Sequence, residues 1–184
     1  MTIESNAPTS EVVDRARKIR LVLFDSDGTL TDGRIIMTSG GEEARAFDVR
    51  DGHGVRMGQQ AGLVFGVISG RESTVLQRRA EELEFEEIHQ RVLDKEQRLK
   101  EILERRGLDA SAVCFMGDDL IDLPVMRRCG LAVAPADAVA EVLDCAHHVT
   151  RRPGGRGAAR ELIDLLLRVS GSWERVTARY FGEP

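Results

Sequence analysis

A parallel α/β sheet with helices on both faces is the fold class predicted for this 184-residue chain, and three observations carry it. Short apolar runs recur without internal alternation, as strands buried on both faces do. Segments of helical pattern separate several of these runs, which implies right-handed βαβ units. The length suits one domain with a real hydrophobic core, so a single domain over 1–184 is expected.

The elements follow in order. Leu21–Phe24 reads as a buried strand, and it runs directly into Asp25-Ser26-Asp27-Gly28-Thr29. The stretch RIIMTSGGEEARAFDV, Arg34 to Val49, then breaks the alternation: two strand-like arms flank Ser39-Gly40-Gly41, a hairpin signal. The sheet does not need this hairpin, so residues 34–49 are expected to project from the mouth as a flap. Val64–Ile68 reads as the next strand and Glu72–Leu83 as a helix. Asp94 with Gln97 forms a start signal for a helix over Lys95–Arg106, and Gly107 is its stop. Val113–Met116 is a third buried strand, Leu123–Cys129 a helix with Pro124 in its first turn, and Leu131–Val133 a fourth strand.

The glycine-rich GGRGAARELIDLLL leads into the last long helix. It resembles a dinucleotide fingerprint but fails as one, because Arg160 stands where the third glycine belongs. Two readings stay open: a basic loop that closes on a ligand, or a plain turn. In the tail, residues 170–184, Trp173, Val176, Tyr180 and Phe181 fall at helical spacing and read as a docking or oligomer face.

Composition narrows the function classes. The chain is 42% hydrophobic and 31% charged, an ordinary soluble balance, and no apolar run reaches the length of a membrane span. The opening MTIESNAPTSEVVDRARKIR lacks a basic start followed by an apolar stretch, so no secretory signal is expected. Cys114, Cys129 and Cys145 are odd in number and far apart, which suits buried thiols in a reducing cytoplasm. His147 and His148 are adjacent and would point to opposite faces of a strand, so both read as structural. A net charge of −5 argues against nucleic acid as a partner. Yet arginines gather at Arg50 and Arg56, at Arg71, Arg78 and Arg79, and at Arg151, Arg152, Arg156 and Arg160. Such clusters on an acidic chain fit a small anionic ligand.

In open parallel sheets ligands bind beyond the carboxyl ends of the strands. There this chain places Asp25 and Asp27, then Ser69-Gly70-Arg71, then Gly117-Asp118-Asp119 with Asp122 following; Lys95 opens a helix between the last two. Each has a plainer reading: a strand-end turn for the aspartates, a cap ahead of Glu72 for Ser69, a solvated residue for Lys95 with Lys100 as competitor. As a set they describe phosphoryl chemistry. Several carboxylates in one cleft need a cation, and hard oxygen ligands suit Mg²⁺. Ser69 can donate to a phosphoryl oxygen, and Lys95 supplies a point charge at a helix start. A carboxylate is a competent phosphoryl acceptor, and a second acid beside it can protonate the leaving alcohol.

DSDGT, SGR, a lone lysine and GDD, in that order, resemble the four motifs of the haloacid dehalogenase superfamily of phosphatases over about Arg20 to Arg168. The resemblance implies a Rossmann-like sheet, Asp25 as nucleophile and Asp27 as general acid/base. It implies Mg²⁺ held by Asp25, the Asp27 backbone carbonyl and Asp118, with Ser69 and Lys95 on the phosphate and Asp119 ordering the surroundings. Neither gap between motifs holds a cap domain. FDVRDGHGVRM, VISGR, GDDLIDLPVM and GGRGAARELIDLLL are similar to a capless subgroup that acts on an eight-carbon 3-deoxy keto-sugar phosphate of lipopolysaccharide biosynthesis. That subgroup is homotetrameric, with hairpins and neighbours closing the site. It implies substrate contacts at Asp27, Asp48, Val49, Arg50, Asp51, Gly52, Arg56, Arg71, Arg79 and Lys95. Asp48 stands where the subgroup often has asparagine. Ser26 replaces an apolar residue and is expected to affect packing only. The rivals are a nine-carbon keto-acid phosphate as substrate, or a non-catalytic regulatory domain of the same fold. A signalling receiver domain would need its acids and lysine in another order.

Overall fold

The computed structural model describes residues 8–182; the parts of the leader and tail readings that fall on 1–7 and 183–184 lie outside them. Six strands form one parallel sheet: β1 (Leu21–Phe24), β4 (Val64–Ile68), β5 (Glu87–His89), β6 (Val113–Met116), β7 (Leu131–Ala134) and β8 (His148–Val149). Their order is β5-β4-β1-β6-β7-β8, so the chain winds one way from β1 and then the other. That reversal puts a crevice at the carboxyl end of β1.

All four β1 residues are buried, because alternate side chains serve two cores. Val22 and Phe24 face the core covered by α1 (Ser10–Ala16), α2 (Val49–Gln60), α3 (Thr74–Glu82) and α7 (Ala158–Val169). Leu21 and Leu23 face the one covered by α4 (Lys95–Arg106), α5 (Leu123–Met126) and α6 (Ala140–Cys145). The long α4 begins with Asp94 accepting the Gln97 N–H at 2.9 Å and ends at left-handed Gly107, as its sequence predicts. None of the described helices is long and apolar enough to cross a membrane.

The inserted hairpin is present but short: β2 (Ile36–Met37) pairs antiparallel with β3 (Glu43–Ala44), and residues 45–48 lead from the pair into α2. Five elements are not legible from pattern: α1, α2, α6, β5 and β8. For α2 the reason is its three glycines. Gly54 and Gly58 let α7 and β4 come close, and a Cβ on Gly58 would lie 2.4 Å from Phe65 Cζ. Tertiary packing forms this helix against its propensity. Helix α3 starts at Thr74 rather than Glu72, because Ser73 is its cap. The expected Leu123–Cys129 helix stops at Met126, after a short 3₁₀ turn at Leu120–Asp122.

In the tail, Val176 is buried and Trp173 packs on the chain's own core, with Arg168 stacked 3.9 Å from the indole centroid. Only Tyr180 and Phe181 of the expected face are exposed. His147 Nδ1 accepts the Ala132 N–H at 2.9 Å, a structural role. The three cysteines are free thiols, and burial pushes the Cys129 thiol up to about 12.

Candidate active site

Strands β1 and β6 are neighbours in register, Phe24 opposite Met116, so Asp25 and Asp118 leave adjacent strands at the same end of the sheet. The Asp25 N–H donates to the Met116 carbonyl at 2.9 Å, extending the ladder past the strand end. The loop that follows turns back over Asp118. Gly28 has φ +94°, and a Cβ there would sit 2.0 Å from Asp118 Oδ2, so only glycine fits. Thr29 Oγ1 donates to Asp118 Oδ1 at 2.9 Å.

Lys95 enters from the first residue of α4. It is 3% exposed, and its Nζ lies 2.5 Å from Asp25 Oδ1 and 2.6 Å from Asp122 Oδ1. The competitor Lys100 is a surface residue paired with Glu96. Asp122 is wholly buried, and its other oxygen accepts the N–H groups of Asp118 (3.0 Å) and Asp119 (3.3 Å). Asp119, which the motif resemblance makes an organiser, caps the 3₁₀ turn at Leu120 and forms a reciprocal capping box with Asp122. Asp122 in addition holds the Asp118 N–H. Its signal was the spacing: it follows Asp118 by four residues, one helical turn.

Carboxylate oxygens of Asp25, Asp118 and Asp122 lie within 4.8 Å of one another. Burial raises Asp25 to about 6; Lys95 pulls it down and Asp122 pushes it up. Burial and then Asp25 raise Asp118 to about 7. Burial pulls Lys95 down, but Asp25 and Asp122 overcome it and hold the ammonium above its ordinary value. Three acids against one base leave a deficit that a divalent cation balances, and an all-oxygen donor set fits a hard ion.

Ser69 is buried one residue past the sheet level of Asp25, at the end of β4. Its hydroxyl accepts the Arg71 N–H at 3.3 Å, and the helix-cap role belongs to Ser73. Asp27 turns the other way, toward the hairpin. Its Oδ1 accepts from Arg45 Nη1 at 2.5 Å, and Arg71 Nε is 3.8 Å from Oδ2. Burial raises the Asp27 carboxyl, with Arg45 and Arg71 opposing. Arg45 also donates to the Ser26 hydroxyl at 3.3 Å, so Ser26 serves this network as well as packing. Sequence reading missed Arg45 and Glu43. Their signal was alternation, since both fall on one face of the returning arm.

The other expected substrate contacts gather around α2. Asp48 caps α2 and pairs with Arg50 at 2.6 Å; Val49 is exposed. Asp51 is buried and accepts the N–H groups of Arg160 (2.7 Å) and Gly157 (3.3 Å), serving as the cap that α7 lacks locally. Burial raises Asp51 to about 6, against those two hydrogen bonds. A Cβ on Gly52 would meet Arg79. Arg79 pairs with Glu82, while Arg56 pairs with Glu84 and donates to the Glu82 carbonyl. None of these partners belongs to the carboxylate cluster. The glycine-rich run forms a turn against the loop after β1: Gly155 donates to the Thr29 carbonyl at 2.9 Å, and the turn leads into α7.

Residues 74–162 match the haloacid dehalogenase-like hydrolase family model. The chain is 40% identical over 163 residues to the 3-deoxy-D-manno-octulosonate 8-phosphate phosphatase KdsC of Escherichia coli (strain K12), covering 89% of this chain and 87% of that one. The crystal structure of the same-named phosphatase from Yersinia pestis superimposes with a TM-score of 0.88 at 42% identity, covering 90% of this chain and 89% of that one. The Moraxella catarrhalis phosphatase, solved with a magnesium ion, a phosphate ion and KDO, matches with a TM-score of 0.92 at 33% identity, over 94% and 99% of the two chains.

Proposed function

This chain belongs to the 3-deoxy-D-manno-octulosonate 8-phosphate phosphatases among the haloacid dehalogenase-like hydrolases, and we propose that it hydrolyses that sugar phosphate through an aspartyl-phosphate on Asp25. The observation that carries the mechanism is the cluster at the strand ends, where buried Asp25 and Asp122 and half-buried Asp118 gather with Lys95.

Asp25 is the nucleophile. One carboxylate oxygen forms the new bond to phosphorus while the bond to the sugar oxygen breaks. Asp27 gives its proton to that leaving oxygen; it then takes a proton from the water that hydrolyses the aspartyl-phosphate, releasing phosphate and restoring Asp25. Ser69 and Lys95 hold the phosphoryl oxygens and offset their charge. Asp25, the Asp27 carbonyl and Asp118 hold Mg²⁺, with Asp122 beside them. When bound, the ion neutralises charge on the phosphoryl group and aligns it. Arg71 reaches the mouth beside Asp27 and suits the substrate carboxylate.

Asp48, Val49, Arg50, Asp51, Gly52, Arg56 and Arg79 belong to this reading as substrate contacts of an oligomer, in which the hairpin and α2 of one copy help to close the site of another. A homotetramer is the expected state, with Ile36 and Met37 exposed on the hairpin in support. Light scattering combined with activity should show turnover tracking the oligomer; a fully active monomer contradicts it. Free thiols support a reducing, cytoplasmic setting.

The decisive assay is phosphate release from a panel of sugar phosphates with Mg²⁺. The octulosonate 8-phosphate should give the highest kcat/KM and Asp25→Asn should abolish turnover. Retained turnover in Asp25→Asn removes the mechanism, and preference for a nine-carbon keto-acid phosphate changes the substrate.

A further inference from the structure

Resting on the reading of Asp27 as general acid, we propose that Arg45 of the hairpin is the positioning residue that aims Asp27 at the leaving oxygen. The side chain of Arg45 is fully buried, although it comes from an arm that leaves an exposed two-stranded hairpin. Its guanidinium spans the gap between that arm and the loop after β1. Nη1 donates to Asp27 Oδ1 at 2.5 Å and to the Ser26 hydroxyl at 3.3 Å, while Nε donates to Glu43 Oε1 at 2.6 Å.

Glu43 is anchored in turn. The Ser73 hydroxyl at the start of α3 donates to it at 2.8 Å, and Arg71 Nη2 lies 3.5 Å from its other oxygen. Asp27 is therefore fixed through Arg45 and Glu43 to the scaffold, instead of rotating freely at the mouth. A guanidinium held on two edges has one low-energy orientation, and it transmits that orientation to the carboxylate it grips. Its Nη2 is buried and without a hydrogen-bond partner among the described residues. A buried unsatisfied donor costs stability, which functional sites tolerate and cores seldom do.

The role separates from mere folding by its dependence on the leaving group. When the P–O bond breaks, a p-nitrophenolate departs without needing the Asp27 proton, whereas a phenolate needs it more. In kcat/KM, which ends at the first irreversible step, Arg45→Ala should cost phenyl phosphate about 10²-fold more than p-nitrophenyl phosphate. Across substituted phenyl phosphates the slope against leaving-group pKa should steepen, and KM should change little. Asp27→Asn should show the same steep slope. The double variant Asp27→Asn/Arg45→Ala should be no steeper, because the two act as one unit.

Glu43→Gln, which loosens the arginine from its other edge, should shift the slope the same way but less, and it serves should Arg45→Ala fail to fold. Equal losses on all esters, or additive effects in the double variant, overturn the role of Arg45 alone. A wild-type chain that turns over neither the aryl esters nor the octulosonate 8-phosphate overturns the phosphatase reading and this inference with it.

Discussion

Lys95 brings one positive charge to three clustered carboxylates, and it holds the two buried ones directly, at 2.5 and 2.6 Å. Asp25, Lys95 and Asp118 were legible in the sequence because strand ends and a capped helix start place them without any tertiary knowledge. Asp122 was legible as a neighbour of Asp118 but not in its role, and Arg45 was not legible at all, since both roles depend on where a turn and an inserted hairpin come to rest. A different buried acid tests the electrostatics away from the site. Glu87 accepts from His89 at 2.7 Å and from both Arg105 and Arg106. Burial would raise its pKa, but Arg105, His89 and Arg106 together hold it below the ordinary value of 4.5. A depressed folded-state pKa means this stabilisation is complete above about 4.5. It is lost as pH falls through the lower, folded value. Glu87→Gln should therefore destabilise by about 1.5–3 kcal/mol at pH 7. In urea melts that gap should narrow below pH 4; a gap constant with pH contradicts the assignment.

At the scale of elements, the pair α2 and α7 shows how a poor helix sequence is made to fold. Glycines open the interface, and Asp51 on α2 caps the first turn of α7. The four strands read from apolar runs and the helix α4 read from its caps are those whose signals are local. The short edge strands β5 and β8 and the glycine-bearing α2 have no local signal, because neighbours supply their stability. Gly58→Ala should drive a methyl into Phe65 and lower stability by about 1–3 kcal/mol, measured by thermal or denaturant unfolding. An unchanged midpoint would mean that the α2–β4 contact yields easily.

For the molecule as a whole, the winding reversal at β1 gathers residues from β1, β4, β6 and α4 into one crevice, and the motif order along the chain predicted that gathering. Its charge deficit gives a thermodynamic prediction independent of turnover. A ligand that binds only the folded state raises stability by about 2.7 kcal/mol at a hundred times its dissociation constant. Adding Mg²⁺ to chelator-treated protein should raise its melting temperature, and Asp118→Asn should remove most of the rise. An equal rise in both proteins contradicts an ion held by Asp118.

The turn near the end of the chain also touches the beginning of the site. A Cβ on Gly154 would fall 1.7 Å from the Gly28 carbonyl oxygen, and Gly155 holds the Thr29 carbonyl. The loop carrying Asp25 and Asp27 is thus braced by residues synthesised long after it. During translation Asp25 and Asp27 leave the ribosome early, yet their loop has no completed support until the segment before α7 follows. Assembly of the site is coupled to completion: a chain cut short before Gly154 carries DSDGT, SGR, Lys95 and GDD and lacks the backbone that braces the first of them.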